Sequence, residues 1–488
     1  MSEYLASVPH KGAYGDVEDD RKSAILDIKE GEVEAEVSVT EVDQAFASLV
    51  AAEESHDIKH RTMGWKKTTL LLFGDQVCLA IMAQAWSFKV MGWVPGLITT
   101  ILAGIFFYIT SLTMWRFIMR HPGVRDVCDI GYLLFNKSKI AYEVTGIMLL
   151  LNNILLIGFH ILTFGKILNT LSDHGTCTVV FTAIGAITGI LMSLPRTLNH
   201  LTGMSVVSAV CMGIAIILFL VFAGIEANPL YGYGGTWPAA GDVVRTTAFP
   251  PPGTTWVECL QAALNIVFLW VPQILFPTFI SEMKRPQDFP KALTALAILS
   301  FVLFIVPTVL GYHWLGQYAT APAFGSLERV YVKASFAFVI VPTQVISVIY
   351  SNVACKYIYQ RIMRNSKHAH SHSKIGWGVW AAVTTVVWGI AFIFGSVIPS
   401  MGDMLGLLGA AFDSQFGFIF WALCWYSLYR RQGFFTTWTR TAGTVFHIIV
   451  MLLGLFLLGP GLYAAVEAII VDYAGPVRPA FSCANLSL

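Results

Sequence analysis

The sequence predicts an all-α integral membrane protein with about eleven transmembrane helices, on three observations. Of 488 residues, 56% are hydrophobic and 12% charged, about half the charged share of a soluble domain, so lipid must be part of the solvent. Stretches such as VVSAVCMGIAIILFLVFAGI carry no charge over a length that spans a bilayer. Lys and Arg, finally, gather in alternate connections between such runs. The formal net charge is +1, and no basic run interleaved with aromatics points to nucleic acid.

Residues 1–60 read as a disordered acidic cytosolic tail. They hold 15 of the 30 carboxylates and five of the 31 Lys and Arg, too little apolar surface to offset ordering entropy. Such a tail solvates, and it is where regulatory partners would attach. Its polarity also argues against a cleavable signal peptide. Residues 61–470 form the transmembrane domain and 471–488 a short extracytosolic tail. The eight Cys contain no CxxC pair, so no zinc or redox motif is readable.

The apolar runs fall at about 68–90, 94–117, 140–168, 177–194, 201–225, 256–280, 290–313, 329–354, 376–398, 401–428 and 441–470, each near the length of a tilted helix. They are numbered helix 1 to helix 11. Between helices 5 and 6 lies a Pro/Gly/Trp-rich loop, NPLYGYGGTWPAAGD to FPPPG, whose composition excludes a helix and predicts a cover over one membrane face. Connections holding Lys59 to Lys67, Arg116 to Lys139, Arg196, Lys284 to Lys291, Lys356 to Lys374 and Arg430 to Arg440 alternate with others holding little beyond Arg245, Arg329, Lys333 and Arg478. The positive-inside rule puts the basic set, and the N-terminus, in the cytosol. An odd helix count places the C-terminal tail and its Asn485-Leu486-Ser487 sequon outside, and Asn136-Lys137-Ser138 inside. Cys177, Cys259 and Cys483 then share the outer face, where one disulfide among the three is possible with its pairing open.

Ionisable groups in the bilayer are expensive and therefore functional candidates. Asp75 in helix 1 is the first: a carboxylate partly withdrawn from water can bind and release a proton. The bland reading is a hydrated Asp near the helix end, paired with Lys66 or Lys67. Asp413 in helix 10 is the second, deeper than Asp403, which follows Pro399 near the surface. Glu143, Glu258 and Glu467 lie near helix ends and read as interfacial anchors. In helix 3, Asn153 and His160 share a face at spacing seven, with Asn152 beside them, either lining a cavity or binding helices together. His447 in helix 11 reads as structural. Thr343, Ser347 and Ser351 form a hydroxyl stripe on helix 8 that suits a sodium site, although such hydroxyls usually bond their own backbone. The His368-Ala369-His370-Ser371-His372 tract lies in a cytosolic connection and is not read as a metal site.

Several collinear segments carry a family resemblance: GDQVCLAIMAQAWSFKVMGWVPG, DIGYLLF from Asp129, Phe159-His160-Ile161-Leu162, LSDHGTCTVVF, Ser193-Leu194-Pro195-Arg196-Thr197, ALNIVFLWVPQILFPTFISEMKRPQDFPKAL and IPSMGDMLGLLGAAF. Over about residues 60–465 the chain resembles the amino acid/auxin permease family, the transmembrane amino acid transporters, and within it the fungal neutral amino-acid permeases. That resemblance implies a leucine-transporter type fold, a 5+5 inverted repeat plus one extra helix, with helices 1 and 6 interrupted at the midplane. Their freed backbone groups would hold a zwitterion.

On this reading the chain is a secondary active transporter of neutral amino acids, working by alternating access as a proton symporter, with no covalent chemistry. It is not an enzyme and needs no cofactor beyond the gradient, a proton gradient being favoured over sodium. The plasma membrane is favoured over the vacuolar one. Main-chain groups at Ala80, Ile81, Met82, Val271, Pro272 and Gln273 would bind the substrate's charged ends. Gln84, Trp270 and Phe268 would shape the side-chain pocket with Met82 and Gln273, and Asn153 and Ser347 would line it. Asp75 and Asp413 would couple the ion. The rival is a non-transporting amino-acid receptor on the same fold; a passive channel lacks a pore-lining polar ring.

Two positions depart from the family. Helix 1 has Ala80 and Ala83-Gln84-Ala85 where a glycine and Ser-Leu-Pro are usual, so local propensity predicts a continuous helix. Helix 6 has Pro272-Gln273 where related fungal sequences often show Gly-His, and Pro272 and Pro277 predict a break near Val271 to Gln273. The combined expectation is a bend around Cys78 to Met82 smaller than the family norm, and a sharper break at Pro272.

Overall fold

The structure, a computed structural model, describes Phe46, Ser48 and residues 58–226, 243–364, 366–397, 401–474 and 481–486, with backbone alone at Met401, Asp403 and residues 472–474. The expected acidic tail apart from Phe46, Ser48 and residues 58–60, residues 227–242 of the long loop, Pro399 and the Asp403 side chain therefore lie outside what is described.

Among the described residues, eleven helical segments follow one another at the expected places. Helix 1 comprises Trp65–Gln76 and Gln84–Met91, joined by a 3-10 turn at Leu79–Ala83. Helix 2 is Trp93–Arg120, helix 3 Lys139–Ser172, helix 4 Thr178–Met192 and helix 5 Leu198–Ile225. Helix 6 comprises Trp256–Leu269 and Phe276–Ser281 around a 3-10 turn at Pro272–Ile274. Helix 7 is Phe289–Leu315, helix 8 Arg329–Ile362 and helix 9 Lys374–Val397. Helix 10 runs Met401–Leu408, turns into a π-helix over Gly409–Ile419 and ends as Phe420–Tyr429. Helix 11 is Trp438–Phe456, a π turn at Leu457–Gly461 around Pro460, and Leu462–Ala474. A short helix, Val127–Leu134, joins helices 2 and 3, its first amides capped by the Asp126 carboxylate.

Equivalent positions of the two five-helix repeats match: helices 1 and 6 are both broken, and helices 3 and 8 are both 34 residues long. Helix 8 packs against helices 3 and 5, helix 9 against helix 3, and helix 1 against helices 5 and 7. With no hydrophobic drive between helices in lipid, such contacts depend on close backbone approach. A Cβ at Gly395 would stand 2.4 Å from the Gly158 carbonyl oxygen, so only glycine lets helices 3 and 9 cross so closely. Helix 11 lies outside the repeats. His447 there meets Thr113 of helix 2 at 3.0 Å and stacks on Trp425, the structural role expected for it.

The face opposite the N-terminus is cross-linked. Cys177 and Cys483 form a disulfide and Cys259 is free, which resolves the pairing left open by sequence. The Thr178 hydroxyl donates to the Ala484 carbonyl at 2.6 Å. The tail thus sits beside the helix 3–4 connection, the face an odd number of spans requires. Nearby, Arg329 and Lys333 of helix 8 each approach exposed Asp173 at 2.5 Å, and their hydrogen bonds hold its carboxyl below the ordinary value. Residues 243–255 cover this face as expected: Trp93 and Val94 amides donate to Thr247 and Ala248 carbonyls, and Gln317 pairs with Arg245 backbone.

Candidate functional site

The first half of helix 1 makes its last α-type bond from the Val77 amide to the Phe73 carbonyl at 3.1 Å. Val77 (φ −82°, ψ 69°) and Cys78 (φ −112°, ψ 165°) leave helical geometry, and the two halves meet at a 46° bend. Neither glycine nor proline lies in this segment. The cause is therefore tertiary. A Cβ at Gly74 would stand 2.5 Å from the Ser205 Cβ, so helix 5 pins the first half, while helices 6 and 7 hold the second. Side chains take over for lost backbone bonds: the Gln84 amide donates to the Ala80 carbonyl at 3.2 Å and to the Asn265 carbonyl of helix 6 at 3.0 Å. Ala80, Ile81 and Met82 are all buried.

In helix 6 the break is written locally. Pro272 supplies no amide, Val271 turns out of the helix (φ −124°, ψ 55°), and the Leu275 amide donates to the Pro272 carbonyl at 3.1 Å. The expected break at Val271 to Gln273 is present. In extent the two breaks are alike. The non-α stretch of helix 1, residues 77–83, is no shorter than that of helix 6, residues 270–275, because neighbouring helices outweigh alanine propensity.

Aromatic rings pack around the helix 6 break. Trp270 is buried with ring centroids 5.8 Å from Phe107 and 4.8 Å from both Phe301 and Phe304. Gln273 donates to the Thr110 hydroxyl of helix 2 at 3.3 Å. The π-helical part of helix 10 packs on the helix 6 break, where a Cβ at Gly417 would meet Val271 at 2.6 Å. π-helical turns are uncommon and recur at functional sites. Asp413 lies in this one.

Buried polar atoms without a hydrogen-bond partner gather on these segments: both Asp75 carboxylate oxygens, Gln76 Nε2, both Asn265 amide atoms, Trp270 Nε1, Gln273 Oε1 and Asp413 Oδ2. Native proteins leave few such groups unmet, so a set of them on the breaks and on the helix facing them calls for a polar ligand or ion. Tyr350 of helix 8 lies within electrostatic reach of Asp75, Asp413 and Cys78, and its carbonyl accepts from Asn153 of helix 3 at 3.3 Å. Helices 1, 3 and 10 thereby each present one of the expected polar residues toward the Tyr350 stretch of helix 8. Asp75 is not the hydrated, lysine-paired residue of the bland reading, since it is buried.

Other expected residues are used for packing. Ser347 and Thr343 hydroxyls donate to the carbonyls of Thr343 and Val339, each at 2.8 Å, and Ser351 accepts from Trp388 at 2.9 Å. The helix 8 stripe is thus spent on backbone and helix 9. Asn152 donates to Asn153, and His160 Nδ1 stays within its own helix, 2.8 Å from the Leu156 carbonyl. Glu258 caps helix 6 with Thr255, and Glu143 pairs with Arg361. Tyr350 and Asn265 were not picked out by sequence. The available signal for Tyr350 was its place three residues after Ser347 on the same helix; Asn265 shares helix 6 with the proline break.

Comparison with known proteins agrees with this fold. The N amino acid transport system protein of Neurospora crassa is 26% identical over 444 residues, 89% of this chain and 91% of its own length. MhsT, solved in complex with L-phenylalanine, superposes with a TM-score of 0.52 over 85% of this chain and 99% of its own at 14% identity. Mhp1, a nucleobase-cation-symport-1 family transporter solved in a closed conformation, gives 0.50 over 87% and 96%, also at 14% identity. At that identity the likeness is one of fold. Residues 61–464 match the family described as transmembrane amino acid transporter protein, and with more than four-fifths of the chain inside that match, it belongs to the transmembrane amino acid transporter family.

Proposed function

We propose that this chain is a proton-coupled symporter of neutral amino acids, working by alternating access at the paired breaks of helices 1 and 6. The observation that carries the reading is the set of unmet buried polar atoms on those breaks and on helix 10. A zwitterion suits it: the C-terminal end of the half-helix that closes at Gln76 favours an ammonium, and the unmet Trp270 Nε1 donor at the helix 6 break can meet a carboxylate. The main-chain groups of Ala80 to Met82 and of Val271 to Gln273 are the binding groups, Gln84 and Trp270 bound the side-chain pocket, and Asn153 and Ser347 support its wall. The aromatic lining of Trp270, Phe107 and Phe304 favours an uncharged side chain.

Asp75 is the proton carrier. It is buried with neither oxygen bonded, and a charged carboxylate there is costly unless a cation or proton accompanies it. Asp413, buried in the π-helical part of helix 10 with one oxygen unmet, is the second candidate. The spent hydroxyls of Ser347 and Thr343 speak for a proton over sodium. The N-terminus is assigned to the cytosol and the chain to the plasma membrane, and the Cys177–Cys483 disulfide fits a tail on an oxidising side.

Uptake of radiolabelled neutral amino acids by reconstituted vesicles, with and without an imposed pH gradient, tests this reading. Wild type should concentrate substrate only with the gradient, and Asp75→Asn should equilibrate it without concentrating it. Accumulation driven by the pH gradient in Asp75→Asn would move the coupling role to Asp413, and accumulation that instead needs a sodium gradient would move it to sodium. Saturable binding with no uptake would establish the receptor instead.

A further inference from the structure

The face that carries the N-terminus is closed by a second cluster, away from the breaks. Residues leading into helix 1 pair with the exit of helix 6 as a one-rung parallel bridge: the Met63 amide donates to the Glu282 carbonyl at 3.1 Å, and the Lys284 amide to the Met63 carbonyl at 2.8 Å. The Glu282 side chain, wholly buried, then reaches two further elements. One oxygen lies 2.6 Å from the Lys356 ammonium of helix 8 and 3.8 Å from His60 Nδ1, and the other accepts the Leu198 amide that opens helix 5 at 3.3 Å. Backbone and side chain of one residue therefore tie helices 1 and 6 to each other, and both to helices 5 and 8.

The bridge joins the lead-in of helix 1 to the exit of helix 6. Together with the close packing of helix 5 at Gly74 and the bond from the Ile58 amide to the His370 carbonyl, the Glu282 side-chain bonds hold those joined ends against the rest. Ion pairs cost desolvation to bury and lose heavily when one partner is removed, so this contact has two sharply different states, paired and parted. A site that must be reached alternately from each face needs such a contact on the closed side.

We infer that Glu282 is the latch of the N-terminal face: its bonds to Lys356 and to the helix 5 amide keep that face shut, and their separation lets the joined ends of helices 1 and 6 swing away. This inference rests on the alternating-access reading, but its test needs no substrate. Cys78 lies buried in the helix 1 break and serves as the reporter, in a variant whose other free cysteines are replaced by alanine. A membrane-impermeant maleimide is applied to sealed vesicles of either orientation.

Glu282→Gln and Lys356→Met should each raise Cys78 labelling from the N-terminal face about tenfold, the equivalent of about 1.4 kcal/mol in the closed-to-open equilibrium. Labelling from the opposite face should stay the same or fall. The charge swap Glu282→Lys with Lys356→Glu should return labelling toward the wild-type rate, and Lys356→Arg, which keeps the charge, guards against misfolding of the other variants. Equal increases from both faces would mean general loosening and would overturn the inference, as would unchanged labelling in the single variants. Loss of uptake with labelling as expected would count against the transporter reading alone.

Discussion

The two interrupted helices reach the same shape by different routes. In helix 6, Pro272 removes a donor and fixes the turn, so the interruption is present in the covalent chain. In helix 1, residues 77–83 read Val-Cys-Leu-Ala-Ile-Met-Ala, a segment that would be helical by itself, and the interruption exists because helices 5, 6 and 7 are shaped around it. The comparison teaches that a break can be inherited from neighbours, and that absence of glycine and proline says little about a segment whose surroundings are built for a gap.

Removing the locally written break should have the largest effect. Pro272→Ala restores an amide and relieves about 3 kcal/mol of helix disfavour, so helix 6 should wind further through Val271 and uptake should fall by a factor on the order of 10–100. Unchanged initial rates in vesicles would show that the surroundings hold helix 6 open as well, and the contrast between the two helices would disappear.

Next in size is the contact that pins helix 1. Gly74→Ala would push a methyl to within 2.5 Å of Ser205 Cβ. Overpacking of that kind costs about 1–3 kcal/mol, so the melting temperature of the detergent-solubilised protein should drop, with the bend of helix 1 altered. A neutral result would place the origin of the bend with helices 6 and 7.

Ala80→Gly should act more gently and in the opposite sense. Glycine disfavours helix by about 1 kcal/mol relative to alanine, so the turnover rate should rise severalfold while substrate affinity stays nearly constant. A rise in affinity without a change in rate would mean that Ala80 shapes the pocket rather than its flexibility.

The smallest effect concerns a control site remote from both breaks. Glu226, past the end of helix 5, accepts the Glu328 amide at 2.8 Å with one oxygen and has the other buried without a partner, and burial pushes its carboxyl from 4.5 up to about 7. The folded state thus prefers the protonated form; its contribution is fully present below the unfolded value and is lost as pH rises through the folded one. Wild type should melt slightly lower at about pH 8 than at about pH 5, and Glu226→Gln should remove that part of the difference. An identical pH dependence in the variant would show that Glu226 is ionised in the fold.

Much of the architecture was legible because bilayer solvation is a coarse constraint. A run such as 206–225 must span, and alternating Lys and Arg sort the connections, whatever the neighbours do. The helix 6 break was legible for the same reason: proline chemistry is local. Asp75 and Asp413 were legible as expensive residues, but not their proximity to Tyr350, which depends on how helices 1, 8 and 10 are turned. Ser347 read as a pocket hydroxyl, and its bond to the Thr343 carbonyl is set by helix rotamers that spacing alone does not reveal.

By itself, then, the sequence determined the medium, the number and order of the spans, the family motifs and the proline break, since each follows from composition or from groups adjacent along the chain. The tertiary structure alone decided the bend of helix 1, the pairing of Cys177 with Cys483 across 306 residues, and the burial of Glu282 against Lys356. Those depend on which distant surfaces meet, and in a membrane that choice is made by close packing and hydrogen bonding between helices, because apolar contact with lipid is available to every helix equally.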